Sequence, residues 1–349
     1  MAANTFNPES LVRENVGNLK PYSSARDEYV SDGSEMIFLD ANENPFENGV
    51  NRYPDPHQRA LRSLLADLKG TPRDQILLGN GSDEVLDLIF RAFCEPRRDN
   101  VISLPPTYGM YQVLSAINAV EHREVPLTQG FQPDVPEIMA ATDRNTKLIF
   151  ICSPNNPSGN SLDGERIKSL LDSFRGLVVI DEAYIDFSAQ KGWLPQLDNH
   201  PNLVVTQTLS KAYGMAGIRL GICYASPQII SILNKIKPPY NVNQLTQQRA
   251  YQRLMDPQAV EREVAAVLEE RKKLAEALRG LDFVEKVFPT DANFLLVRVD
   301  DADRRYRELV EHRIVVRNRS KQPNCENTLR FTVGTPKENE TLIQILKKL

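Results

Sequence analysis

Between about residues 75 and 225, short apolar runs alternate with segments of helical period. Val85, Leu86, Leu88, Ile89 and Phe93 recur at helical spacing, and NVISL, beginning at Asn100, then reads as a strand. Tyr108 to Ile117 is again helix-like. KLIFICS, from Lys147, is a continuous buried-strand run, followed by a helix in which Ile167, Leu170, Leu171 and Phe174 share one face. GLVVIDEAY, from Gly176, and NLVVTQTLS, from Asn202, are two more strands. β-branched runs separated by helices are the signature of parallel strands buried on both faces. The pattern therefore predicts an α/β fold with a mostly parallel central sheet.

The pattern changes after Pro238-Pro239. Val260, Val264, Val267, Leu268, Leu274 and Leu278 mark a long helix from about Pro257 to Arg279. Then come the strand ANFLLVRV, a charged helix around Tyr306 to His312, the strands IVVRN and TLRFTVG, and a last helix over Leu342 to Leu349. Strands and helices mix here as in a smaller α+β unit. The first forty residues are polar, proline-punctuated and irregular. The division that follows is an N-terminal segment, 1–35, packing on the small domain or a partner subunit, a large domain, 36–240, and a small domain, 241–349.

Length agrees with two unequal domains, because 349 residues exceed what one core usually organises. Hydrophobic residues make up 41% and charged residues 25%, the balance of a globular protein. A formal net charge of −4 with mixed signs leaves no electrostatic footprint for nucleic acid. The N-terminal stretch lacks the charged-then-apolar order of a signal peptide, and no window is apolar enough to span a bilayer. Cys94, Cys152, Cys223 and Cys325 lie far apart, which suits the reducing cytoplasm. His57, His122, His200 and His312 form no metal-ligand pair and read as surface or loop residues.

Two generic nucleotide sites are excluded. Neither G-x-G-x-x-G nor G-x-x-x-x-G-K-[ST] occurs. The informative segment is Thr208-Leu209-Ser210-Lys211, which ends a buried strand and precedes the glycine-rich stretch reaching Arg219. Lys211 reads equally as a snorkelling side chain or as a desolvated amine able to form a Schiff base. Ser210 and Arg219 suit a phosphate. Asp181 closes the strand LVVI, either as a buried acid on backbone N–H groups or as the partner of a protonated pyridine nitrogen. Asn156, in the turn Ser153 to Gly159, is an ordinary loop residue or a donor to a phenolate oxygen. Ser82, in Gly79 to Glu84, is an N-cap, and the same helix start is a ready phosphate site. Asp83 and Glu84 oppose a phosphate, so an anion there must use backbone N–H groups with Arg219 as countercharge.

These segments end strands of one sheet, where open α/β sheets bind ligands. Jointly they resemble the fold-type I, pyridoxal 5′-phosphate-dependent aminotransferases of the aspartate aminotransferase superfamily. The match sharpens at Arg13 to Arg26, at Leu39-Asp-Ala-Asn42-Glu43-Asn44-Pro45, at Arg52-Tyr53-Pro54-Asp55, at Val316-Arg317 to Pro323 and at Leu329-Arg330 to Gly334. There the chain resembles the histidinol-phosphate aminotransferase family, from about residue 10 to the end. It departs at Tyr213, where the family often has phenylalanine, and at Asn318, where aspartate is common.

The resemblance implies that Lys211 carries the cofactor as a Schiff base, Asp181 holds its ring nitrogen, and Asn156 and Tyr184 bond its ring oxygen. Tyr108 stacks on the ring. Ser82, Asp83, Ser210 and Arg219 hold the phosphate, with Tyr53 reaching it from the second subunit of a homodimer. Tyr22, Asn42, Arg317 and Arg330 become the substrate residues, binding histidinol phosphate and then glutamate or 2-oxoglutarate. Three other readings stay open: a threonine-phosphate decarboxylase-like lyase, a broader aromatic aminotransferase, and a non-catalytic module.

Overall fold

A computed structural model of the chain describes residues 6–22 and 37–349. Part of the N-terminal segment, including Ser23 to Arg26 of the resemblance, lies outside the described residues. The larger sheet has seven strands: β1 (Ile76–Asn80), β2 (Asn100–Ser103), β3 (Glu121–Glu124), β4 (Thr146–Cys152), β5 (Leu177–Asp181), β6 (Leu203–Thr208) and β7 (Leu220–Ala225). Their spatial order is β1-β7-β6-β5-β4-β2-β3. All run parallel except β7, which pairs antiparallel with both neighbours.

Alternation along the strands explains why the runs are apolar throughout. Ile149 and Ile151 enter one buried cluster with Val178, Ile180 and Val205. Leu148 and Phe150 enter another with Val179, Val204 and Cys223. Each of these residues faces a helix-covered layer, which keeps most of the central strands apolar, while polar residues such as Asp181 and Thr206 to Thr208 gather toward the carboxyl ends. Helix Ser82–Phe93 buries seven residues on the second face, from Val85 to Phe93. Each large aliphatic or aromatic side chain buried in this way contributes about 1.5–3 kcal/mol.

Four strands have no counterpart among the sequence expectations: β1, β3, β7 and, in a second smaller sheet, β8 (Val284–Val287). β3 reads EHRE, and its charges sit on the last strand of the sheet, where only one edge is paired. β7 follows the glycine-rich segment so closely that its apolar run reads as part of a loop. His122 corrects the surface-or-loop reading: it lies within β3, with its Nε2 2.7 Å from Ser103 Oγ.

The smaller sheet comprises β8 (Val284–Val287), β9 (Phe294–Val299), β10 (Arg317–Asn318) and β11 (Thr328–Thr332), in the antiparallel order β10-β11-β9-β8. Helix Pro257–Arg279 has the predicted bounds, with Asp256 capping it by accepting from Ala259 N at 3.0 Å. IVVRN contributes only two paired residues, and the last helix runs Pro336–Leu346, earlier than its apolar residues alone suggest. Its start is a capping box, in which Thr335 and Glu338 satisfy each other's backbone N–H groups.

The described N-terminal residues, 6–22, make contacts with the helices of the larger sheet. Val16 is buried with the large-domain helices, Arg13 N donates to Ala92 O at 3.0 Å, and Lys235 Nζ donates to Gly17 O at 3.2 Å. The small sheet is held against the loop after β4. Asp291 N donates to Gly159 O at 2.7 Å and Ser161 N to Asp291 Oδ2 at 3.0 Å. This contact carries β11 over the strand ends of the large sheet.

All four cysteines are buried and free. Among the described residues no cluster of His, Cys, Asp or Glu fits a metal, and no helix is long and apolar enough to cross a membrane. Thr335→Ala is expected to lower unfolding stability by about 1 kcal/mol in denaturant titration, with the capping box lost. An unchanged midpoint would show that the box contributes nothing.

Candidate active site

The carboxyl ends of β2, β4, β5 and β6 point to one edge of the large sheet, joined by the end of β1 and the start of antiparallel β7. A pocket opens there. Ser82, Asp83, Tyr108, Asn156, Asp181, Tyr184, Ser210, Lys211 and Arg219 line it, together with Cys152, Ala183 and Thr208.

Backbone geometry shapes one end of the pocket. Gly79 pairs with Gly221 across β1 and β7. A Cβ on Gly221 would stand 2.3 Å from Ser82 N, and a Cβ on Gly81 would stand 2.6 Å from Arg219 Nη2. Gly81 itself has φ +82°, a conformation that side chains resist. Gly81, not Ser82, is the N-cap of helix Ser82–Phe93, and no side chain caps this helix. Ser82 therefore occupies the first helical turn, which corrects its reading as a cap. The first N–H groups, including those of Ser82 and Asp83, remain for an anion. Glu84 turns away, accepting from Asn80 N and from Asn241 Nδ2. Asp83 instead accepts from Arg219 Nη2 at 3.1 Å and from Tyr108 Oη at 2.9 Å. Arg219 is held at φ +56°, a strained backbone for a non-glycine residue. Ser210 N donates to Thr208 Oγ1 at 3.1 Å, fixing the turn into Lys211.

At the pocket floor, Asp181 accepts from Tyr111 Oη at 3.1 Å and from Ala183 N at 3.1 Å. Burial pushes its carboxyl up to about 6, against those hydrogen bonds. The next residue, Glu182, points to the opposite side of the strand. There it accepts from Gln207 Nε2 at 2.9 Å and Trp193 N at 2.5 Å, and burial pushes it up to about 7.

Asn156 links the two sheets. Its Oδ1 accepts a short hydrogen bond from Arg330 Nη1 on β11, which turns its Nδ2 toward Tyr184 Oη, 3.5 Å away. Lys211 Nζ lies 5.7 Å from the centre of the Tyr184 ring. Desolvation first, and then the Arg330 guanidinium, lower the pKa of Lys211. That shift enlarges the neutral-amine fraction near neutrality.

Arg317 pairs directly with Arg330 across β10 and β11, at the surface beside this pocket. Tyr22, Asn42 and Tyr53 do not enter the pocket within the single chain. Tyr22 is 73% exposed. Asn42 and Tyr53 line a separate groove with Leu245, and Tyr53 stacks on Tyr240 at 4.5 Å. Tyr111 and Arg319 were missed. Tyr111 was legible in principle, since it stands three residues after Tyr108 and so on the same side of a helical turn.

The profile described as aminotransferase class I and II matches residues 38–346. The chain belongs to this family. It is a pyridoxal-phosphate-dependent aminotransferase. A Flavobacterium johnsoniae protein named histidinol-phosphate aminotransferase is 64% identical over 347 residues, covering 99% of each chain. The structure of the Sinorhizobium meliloti histidinol-phosphate aminotransferase in complex with pyridoxal-5′-phosphate shares the fold, with a TM-score of 0.78 and 24% identity over 85% of this chain and 82% of that one. So does L-threonine-O-3-phosphate decarboxylase from Porphyromonas gingivalis, with a TM-score of 0.73 and 24% identity over 86% and 90%. The fold thus spans both transferase and lyase chemistry.

The residues present fit the family's cofactor. The glycine-lined helix start with Arg219 beside it matches a phosphate, and the buried Asp181 matches a protonated pyridine nitrogen.

Two outcomes follow. Gly221→Ala is expected to cost about 1–3 kcal/mol of stability and to weaken cofactor retention on dialysis, read by absorbance; full retention would remove the close-approach argument. Asp181 has a folded pKa near 6, above the ordinary aspartate value of about 3.9. Its stabilising contribution is therefore present at low pH and lost as pH rises through about 6. In denaturant titrations, cofactor-free Asp181→Asn should exceed cofactor-free parent stability by roughly 2–3 kcal/mol at about pH 8, with the gap closing toward about pH 4. Its cofactor affinity should fall by roughly a hundredfold or more. A pH-independent stability difference would contradict the burial argument.

Proposed function

We propose that this chain converts L-histidinol phosphate and 2-oxoglutarate to imidazole-acetol phosphate and L-glutamate, a step of histidine biosynthesis. The near-full-length likeness to the Flavobacterium johnsoniae protein of that name carries the reading. The facing Arg317 and Arg330 support it, because a phosphate dianion needs more cationic donors than a single carboxylate does.

When bound, the cofactor supplies the electron sink that makes the substrate Cα–H acidic. In this reading Lys211 would anchor the cofactor, and its neutral amine would be the base that takes the substrate Cα proton. Asp181 keeps the ring nitrogen protonated. Asn156 and Tyr184 bond the ring oxygen, and Tyr108 covers the ring face. The first N–H groups of helix Ser82–Phe93, Ser210 and Arg219 hold the cofactor phosphate. Arg317 and Arg330 bind the substrates, which use one pocket in turn, so ping-pong kinetics follow; Tyr22 and Asn42, which lie outside that pocket in the single chain, would join them only in the assembled dimer.

The same reading includes a homodimer in the cytoplasm, with Tyr53 reaching the cofactor phosphate of the partner's site. Support comes from the exposed apolar residues Ile37, Leu39, Phe46 and Leu245, which cluster in sequence or in the groove around Tyr53.

The test is glutamate formation from histidinol phosphate and 2-oxoglutarate, by parent and Lys211→Ala proteins. The substitution should reduce turnover at least about a hundredfold and abolish borohydride-sensitive absorbance. Retained full activity would remove Lys211 from the chemistry. Carbon dioxide released from threonine phosphate would replace the transferase with a lyase.

A further inference from the structure

The short ladder between β10 and β11 brings together more positive charge than the substrate reading uses. Arg317 stands opposite Arg330, and Arg319 N donates to Thr328 O at 2.9 Å, which continues the ladder by two residues. Side chains alternate along a strand, so Arg317, Arg319 and Arg330 share one face.

Arg319 is half-buried, and its Nε is covered from solvent without a hydrogen-bond partner. Arg330 Nε, Ser320 Oγ and Gln322 Oε1 are in the same condition. Elsewhere in the small domain, Arg298, Arg304 and Arg305 each meet a carboxylate. Among the described residues no ion pair involves Arg317, Arg319 or Arg330, and the one side-chain bond of the three is from Arg330 to Asn156. Burial, then the Arg330 and Arg317 guanidiniums, lower the pKa of Arg319, and Tyr184 acts on it in the opposite sense. Tyr184 lines the pocket that holds Lys211. Arg319 shares its face with Arg330, which bonds Asn156 of that pocket, so the cluster lies beside the site.

Three neighbouring guanidiniums without a carboxylate repel one another, and an anion between them removes that cost. A carboxylate brings one negative charge and two oxygens. A phosphate monoester brings up to two charges and three terminal oxygens, enough to engage a third fork of donors. We propose that Arg319 is the third guanidinium of the substrate-anion site and that it favours a phosphate-monoester dianion over a carboxylate. The inference rests on the proposed function for the identity of the substrate, but its anion chemistry can be read without turnover.

The experiment compares parent, Arg319→Gln and Arg319→Lys holoenzymes. Inorganic phosphate is titrated against each, followed through perturbation of the cofactor spectrum. KM values for histidinol phosphate and 2-oxoglutarate are measured separately. For Arg319→Gln the phosphate Kd and the histidinol phosphate KM should both rise roughly 10- to 100-fold, the loss of a charged hydrogen-bonding partner. The 2-oxoglutarate KM should move by less than about threefold, because one carboxylate is served by the remaining two arginines. Arg319→Lys should fall between parent and Gln variant, since it restores the charge without the planar fork.

Unchanged phosphate affinity in Arg319→Gln would overturn the proposal. So would an equal loss for phosphate and 2-oxoglutarate, which is what a merely structural role produces. If Arg319→Gln does not retain cofactor, Arg319→Lys decides in its place, and parental phosphate affinity in that variant would overturn the proposal. A parent enzyme that binds phosphate but does not transaminate histidinol phosphate would refute the proposed function and leave Arg319 to the titration.

Discussion

A carboxylate at the end of β5 sits where the protein interior makes negative charge expensive, and much of the site is arranged around that cost. Asp181 is 3% exposed, and two hydrogen bonds, from Tyr111 and Ala183, offset only part of the penalty. Its carboxyl remains displaced upward. A protonated ring nitrogen is the complement this environment lacks, since an adjacent cation stabilises the charged form that burial opposes. The affinity of the pocket for its cofactor and the instability of the carboxylate without a cation are two views of one interaction. Tyr111 matters here because it orients Asp181 from the side away from the pocket. It lies fully buried against Phe150, stacked at 4.8 Å, so the core itself fixes the direction of the acid.

The phosphate end depends on a different constraint, the closeness of two backbones. β7 runs against the direction of its neighbours, which brings its start, and with it Arg219, to the edge where the parallel strands end. Gly221 lets β7 pass the first turn of helix Ser82–Phe93 at a distance no side chain tolerates. An antiparallel strand within a parallel sheet is thus the means by which a guanidinium reaches a helix N-terminus. Asp83, which opposes an anion by its charge, sits instead between Arg219 and Tyr108 and positions both.

The legible and illegible parts of the molecule divide along physical lines. Central parallel strands were readable because both faces are buried, leaving uninterrupted runs such as KLIFIC. Helix Pro257–Arg279 was readable because its apolar residues keep one period from cap to end. β3 was not, because an edge strand carrying EHRE has no hydrophobic signature. β1 and β7 were not, because β1 runs into, and β7 runs out of, a glycine-bearing segment that resembles loop sequence. In the site, Lys211, Asp181, Asn156 and Arg219 were legible because each lies at a strand end or in the turn beside one. Arg319 was not, and Tyr111 only through its helical spacing from Tyr108. The contact that places Tyr111 lies 70 positions along the chain, and Arg319 lies one residue past the part of IVVRN that pairs.

Arg330 joins these parts into one system. It bonds Asn156 in the large domain, adds positive charge near Lys211, and stands opposite Arg317 in the small sheet. Any anion placed on the arginines must therefore act at a distance on the lysine. It reduces the positive field that helps keep Lys211 deprotonated, and so shifts the amine toward its charged form. A substrate anion held there, as proposed, would therefore oppose the basicity that the proposed reaction needs. Desolvation of Lys211, the larger influence on its pKa, is what keeps that opposition from deciding the outcome. Recognition and catalysis share a charge balance here, and the closeness of β11 to the strand ends makes the sharing unavoidable.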